Sequence, residues 1–115
     1  MSFRWPSKDP DEQLDYSVDW SRFLGTATIS SVTWSVKSKA YNTKTALASG
    51  ETLTVASGSA TTDTIQNVSQ TNTNTVATIN IGGGTNNEEY TFFCNMIDST
   101  GSQAERSIKL KVKEK

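Results

Sequence analysis

The sequence predicts an all-β fold: an immunoglobulin-like antiparallel β-sandwich over residues 14–115, preceded by a short extended N-terminal arm over residues 1–13. Three observations predict it. Apolar residues recur at every second position in several short runs, and no apolar stripe of helical spacing persists for three turns. Thr, Ser and Asn dominate the middle of the chain, while proline occurs only at positions 6 and 10. Gly, Asn, Asp and Ser clusters punctuate the runs about every eight to twelve residues, the spacing of a two-sheet sandwich with about seven short strands.

The first strand opens at Leu14: Leu14, Tyr16, Val18 and Trp20 point to one face and Asp15, Ser17 and Asp19 to the other. After a turn at Gly25, a second strand starts near Ile29, in which Val32, Trp34 and Val36 alternate with Thr33, Ser35 and Lys37. Trp34 is therefore expected at the centre of the core. Leu53 and Val55 alternate with Thr52 and Thr54 between the turn glycines Gly50 and Gly58, giving a short third strand. Around Thr61 to Ser69 the pattern falls out of step at Ile65 and Val68, which predicts a bulge or an irregular edge. Ser69 to Asn74 is polar enough to read as a surface loop. Ala77, Ile79 and Ile81 form the next strand, which stops at Gly82, Gly83 and Gly84, read as a hinge or loop tip. Tyr90 to Asp98 is the strongest run, with Tyr90, Phe92, Cys94 and Met96 on one face and Phe93 and Ile97 on the other, as for a central strand covered on both sides. Asp98 to Ser102 supplies hairpin chemistry, and Ile108, Leu110 and Val112 close the domain. The antibody version is excluded, because Cys94 has no cysteine partner and Phe92 stands where that version has tyrosine. A partly open barrel is the alternative architecture.

At 115 residues the chain has room for one core. Lys and Arg total 11 against 12 Asp and Glu, so no global field draws it to nucleic acid or to an anionic membrane. The charges are segregated, however. Asp9, Asp11, Glu12, Asp15 and Asp19 sit near the start, and Arg106, Lys109, Lys111, Lys113 and Lys115 near the end. First and last strands are thus expected side by side, with Asp15 and Asp19 bridged to the terminal lysines. No apolar run is long enough to span a bilayer and no signal-peptide pattern opens the chain, which leads us to expect a protein made and kept in the cytoplasm until it is assembled into something larger. Asn67-Val68-Ser69 is a formal glycosylation sequon, read as a chance triplet.

No catalytic, cofactor-binding or metal-binding residue is assigned. Histidine is absent, which removes the usual general base and the commonest metal ligand. The carboxylate pairs Asp15 with Asp19 and Asp11 with Glu12 are better explained as salt-bridge and turn residues than as acid–base groups. Gly82-Gly83-Gly84-Thr85 lacks the lysine and helix of a phosphate loop. Cys94, mid-strand among aromatics, reads as a small buried apolar residue. Asp9, Asp11 and Glu12 lack the spacing of a calcium loop. Lys109, Lys111 and Lys113 lack the interleaved aromatics that single-stranded nucleic acid requires, and are expected to blunt an exposed strand edge.

The arm is the candidate binding element. Phe3 and Trp5 are two aromatics in a segment too short to fold alone, and Arg4-Trp5-Pro6 joins two residue types enriched at binding hot spots to a stiff turn. Trp5 can plug its own sandwich or anchor in a neighbour; the anchor is the favoured reading. Phe3, Arg4, Trp5, Asp9, Asp11 and Glu12 are the expected partner-binding residues, the acidic turn orienting the arm.

Trp5-Pro6-Ser7-Lys8-Asp9-Pro10-Asp11-Glu12, followed by Leu14-Asp15-Tyr16 and Asp19-Trp20, resembles the opening of a family of small tailed-bacteriophage virion proteins, the phage fiber-tail adaptors. Ser31-Val32-Thr33-Trp34 and Arg106-Ser107-Ile108 extend the likeness, while Leu47 to Asn80 is longer than the family pattern. The resemblance implies a non-enzymatic structural protein of immunoglobulin-like fold in the virion. It would be present in multiple copies and join tail and fiber subunits by protein contacts, with no cofactor. A capsid decoration or head-tail joining protein is the alternative, and a carbohydrate-binding module a more remote one, since most aromatics fall on core-facing positions.

Overall fold

A computed structural model describes residues 3–39, 43–53 and 64–114. Their strands are β1 (Phe3–Arg4), β2 (Leu14–Asp19), β3 (Ile29–Ser38), β4 (Thr45–Ala46), β5 (Gln66–Asn72), β6 (Val76–Gly82), β7 (Glu89–Asp98) and β8 (Gln103–Lys111), with one helical turn, α1 (Ser21–Leu24). They form two sheets, one ordered β1-β8-β7-β3-β4 and the other β2-β6-β5. The pairings are antiparallel except that β1 runs parallel to β8. This is the two-sheet β-sandwich that the period-two pattern predicts.

The inward positions are those that the alternation marks. Tyr16, Val18 and Trp20 from the β2 run, Trp34 and Val36 from β3, Ala77, Ile79 and Ile81 from β6, and Tyr90, Phe92, Cys94 and Met96 from β7 are all buried. Ile108, Leu110 and Val112 complete the core from the last strand. Each such large aliphatic side chain contributes roughly 1.5–3 kcal/mol by leaving water. β7 lies between β3 and β8, so the strongest apolar run is central, as expected. The hairpin joining β7 to β8 is fastened by Asp98, whose Oδ1 accepts from Thr100 N at 2.9 Å and Ser102 N at 3.0 Å. Hydrogen bonds from Thr100, its hydroxyl first, hold the Asp98 carboxyl below its usual range. The predicted irregularity near Val68 is a register shift in β5 between Asn67 and Ser69.

Several expectations are corrected. β2 pairs with β6 in the smaller sheet, and the neighbours of β8 are β1 and β7, so the first long strand does not lie beside the last. Asp15 accepts a hydrogen bond from Asn80 Nδ2 at 2.9 Å, and Asp19 from Ser21 N at 2.9 Å, in place of the expected lysine bridges. Ser69 to Asn72 belong to β5 and not to a loop, because only one face of that strand needs apolar residues and its Ser, Gln, Thr and Asn side chains suit a wet face. β7 is covered on one side only: Ile97 is 36% exposed and Phe93 half-buried. β8 is not a bare edge, since β1 and the Lys8–Val112 bridge cover it. The glycine run is no loop tip. Gly82 and Gly84 are buried, and a Cβ on Gly83 (φ +67°) would lie 2.1 Å from the Thr64 carbonyl oxygen. Close backbone approach requires glycine there. The expected strand at Thr52 to Val55 falls partly outside the described residues; Leu53 is buried and Thr52 bridges Gln66. Asn67 of the sequon is buried, its Nδ2 donating to the Leu47 carbonyl and to Gln70 Oε1, so the nitrogen that would carry a glycan is engaged inside the fold.

Candidate functional site

The N-terminal segment lies along the open side of the sandwich, where β1 edges one sheet and β2 the other. Phe3 and Arg4 pair by register with Ile108 and Lys109. Trp5 N donates to the Lys109 carbonyl at 2.9 Å and Lys8 N to the Lys111 carbonyl at 3.0 Å, so the backbone continues alongside β8 past Pro6. Pro6, which has no N–H to give, falls between the two bonded residues.

The Trp5 ring turns inward between the sheets. It stacks on Tyr16 with centroids 4.8 Å apart and planes 26° from parallel, and approaches Phe92 at 5.7 Å and Trp34 at 6.0 Å. Its Nε1 donates to the Ser17 carbonyl at 3.3 Å. Tyr16 returns the tie, its hydroxyl donating to the Pro6 carbonyl at 3.2 Å. Burial, aided by the nearby Glu12 carboxylate, pushes the Tyr16 hydroxyl up to about 12. Of the two roles open to Trp5, plug and anchor, the isolated chain therefore shows it half-buried on its own core.

Beside Trp5 lies a cleft of about 340 Å³ lined by Arg4, Val18, Asp19, Arg106 and Ile108 among others. Arg106 spans its mouth: the guanidinium sits 4.6 Å from the Trp20 ring centroid, and Nη1 donates to the Asp19 carbonyl at 3.1 Å. Ser17 and Asp19 thus have edge carbonyls covered by side chains, which protects a sheet edge from strand addition. The cleft has an apolar floor and a charged rim, a shape suited to a partner side chain.

The acidic residues are placed apart from the cleft, in a turn closed on itself. Asp9 N donates to Glu12 Oε1 and Asp11 N to Asp9 Oδ1, both at 2.8 Å, while Glu12 N donates to the Asp9 carbonyl at 3.0 Å. The exposed carboxylate of this turn is Asp11. The residue between arm and turn, Lys8, is fully buried, its Nζ donating to the carbonyl oxygens of Asp9, at 2.7 Å, and Gly83. Arg4 lines one edge of the cleft while its guanidinium reaches the outer face and pairs with Glu89 at 3.1 Å, which holds the Glu89 carboxyl below its usual range.

Sequence reasoning missed Lys8 and Arg106. A lysine flanked by Ser7 and Asp9 carries no sign of burial, and Arg106 stands on the inward step of its run, in phase with Ile108 and Leu110, where the pattern leads one to expect an apolar residue and not a cation. Cys94 is buried in the core and its thiol is pushed up to about 11, mainly by desolvation, so it is a packing residue. Among the described residues no group of three or more His, Cys, Asp or Glu is arranged to hold a metal ion, and no helix is long and apolar enough to cross a membrane.

Residues 8–46 match the family described as podophage GP4 fiber-tail adaptor protein gp77. The matched stretch takes in the acidic turn, β2, α1, β3 and β4, about a third of the chain, and supports the fiber-tail adaptor family that the opening resembles. The match supports a phage tail-associated structural role. No curated protein matches the chain.

Proposed function

We propose that the chain is a non-enzymatic fiber-tail adaptor, a virion component that links tail fibers to the tail by protein-protein contacts. The observation that carries this reading is the match of residues 8–46 to the fiber-tail adaptor family. The geometry supports it through the cleft at the β1 and β2 edges, whose apolar floor and arginine rim suit a protein side chain. Contacts are assigned to the N-terminal flank: Phe3, Arg4 and the outer edge of Trp5 beside the cleft, with Asp9, Asp11 and Glu12 in the rigid turn beyond. Because Trp5 is already seated on its own core, the partner meets a preformed surface, which lowers the ordering cost of binding. Gold labelling of an epitope-tagged chain on intact virions tests the proposal. Label at the junction of tail and fibers is expected; label spread over the capsid would refute it.

A further inference from the structure

The outer face of the larger sheet carries a cross-strand row of like charges that folding alone does not explain. Lys37 in β3, Thr91 in β7, Lys109 in β8 and Arg4 in β1 are consecutive partners by register. Lys109 and Arg4 stand directly opposite each other, and like charges so placed destabilise a sheet. Lys111 and Lys39 add to the same end of the face, where Lys37, Lys39 and Lys109 border a depression of about 300 Å³. The neighbouring carboxylates are Glu89, engaged by Arg4 at 3.1 Å, and Glu105, engaged by Lys44 at 2.7 Å. At the centre of the face Phe93 is flanked by the ammonium groups of Lys44 at 4.7 Å and Lys37 at 5.9 Å, with Ile97 exposed further along β7. An apolar centre ringed by cations is the anatomy of a docking face, and its cations outnumber the carboxylates beside it.

The complementary charge is on the same molecule. Asp11, Asp15 and Asp19 are exposed, the last two on the outer face of the smaller sheet among Ser17, Thr78 and Asn80. Hydrogen bonds from Asn80 to Asp15 and between Ser17 and Thr78 hold that face in a fixed polar array. With the chain's net charge at −1, the attraction between these two faces is not opposed by a large like charge on the two copies.

We infer that the lysine-rich face of the larger sheet binds a second copy of this chain through that copy's acidic flank, Asp11, Asp15 and Asp19. The contact is electrostatic in origin and joins two different surfaces, so it is heterologous. It is argued from charge placement and not from the adaptor reading, although Arg4 and Asp11 are shared with the contacts assigned there. Sedimentation velocity of the full chain tests it, run at low ionic strength and at about 1 M, where the screening length falls to about 3 Å. Self-association at low salt that disappears at high salt is expected. Two charge-reversed variants then distinguish this contact from any other: Lys37→Glu with Lys109→Glu, and Asp11→Lys with Asp15→Lys. Each alone should associate at least about tenfold more weakly than the parent, and an equimolar mixture should recover a heterodimer, because one variant keeps the lysine face and the other the acidic flank. A parent that stays monomeric at low salt, or self-association unchanged in both variants, would overturn the inference. Circular dichroism melts of each variant confirm that the loss is not unfolding.

Discussion

Replacing Trp5 by alanine asks whether the N-terminal segment belongs to the folded unit. Truncating a fully buried tryptophan costs about 3–5 kcal/mol, and Trp5 is packed on the core but not fully buried, so roughly 2 kcal/mol comes from packing. The stacked pair with Tyr16 adds about 0.5–1.5 kcal/mol, and the exposed 3.3 Å bond to the Ser17 carbonyl contributes little. A loss of about 2–3 kcal/mol is expected. Urea unfolding followed by far-UV circular dichroism reads it as a lower midpoint at unchanged slope. Trp5→Phe, which keeps a ring over Tyr16, should recover more than half of the loss. A Trp5→Ala midpoint within error of the parent would show that the ring is not held against the core in solution, and the plug would have to give way to an anchor awaiting a partner.

Raising the pH from about 10 to 12 should destabilise the chain through Tyr16. Its folded value is raised to about 12 from 10.0, so the unfolded chain loses this proton first; the stabilisation is fully present below pH 10 and declines as the pH climbs towards 12. At about 1.4 kcal/mol per unit, discounted because the hydroxyl is only partly buried and screened by solvent, the effect is roughly 1 kcal/mol. Tyr16→Phe should flatten that part of the stability profile, and an unchanged profile would contradict the assignment. Gly83→Ala should cost at least about 2 kcal/mol by thermal melt, since it combines φ +67° with a Cβ 2.1 Å from the Thr64 carbonyl oxygen; a melt equal to the parent's would mean that this close approach does not persist in solution.

Strand positions were legible wherever a run had one wet and one dry face. The alternation through β3, β6 and β7 gave the correct inward residues because burial acts on each side chain separately and leaves a local trace. Pairing left no such trace. The opposite charges of the first and last strands suggested adjacency, yet Asp15 and Asp19 face outward from the smaller sheet while Lys109 and Lys111 lie on the larger one. Exposed charges are worth too little to set sheet order. Burial of Lys8 was invisible for a related reason: its ammonium is satisfied by the carbonyl of Gly83, 75 residues away in the chain, and backbone acceptors have no signature in a side-chain pattern. The glycine run misled because glycine serves loose turns and tight contacts alike. Of the expected binding residues, Arg4 and Trp5 were placed together at the cleft by their neighbours in β8, whereas the acidic turn proved to be a separate, internally bonded feature.

The parallel match of β1 with β8 has a mechanical consequence. Two strands that run the same way send the chain away from Phe3 at one end of the sandwich and away from Glu114 at the other. Tension applied between those points drags the strands past each other lengthwise. The bonds at Lys109, Lys111 and Lys8 are then strained together, where an antiparallel terminal pair would peel one bond at a time. A domain stretched through its termini in this way yields at higher force than one that unzips.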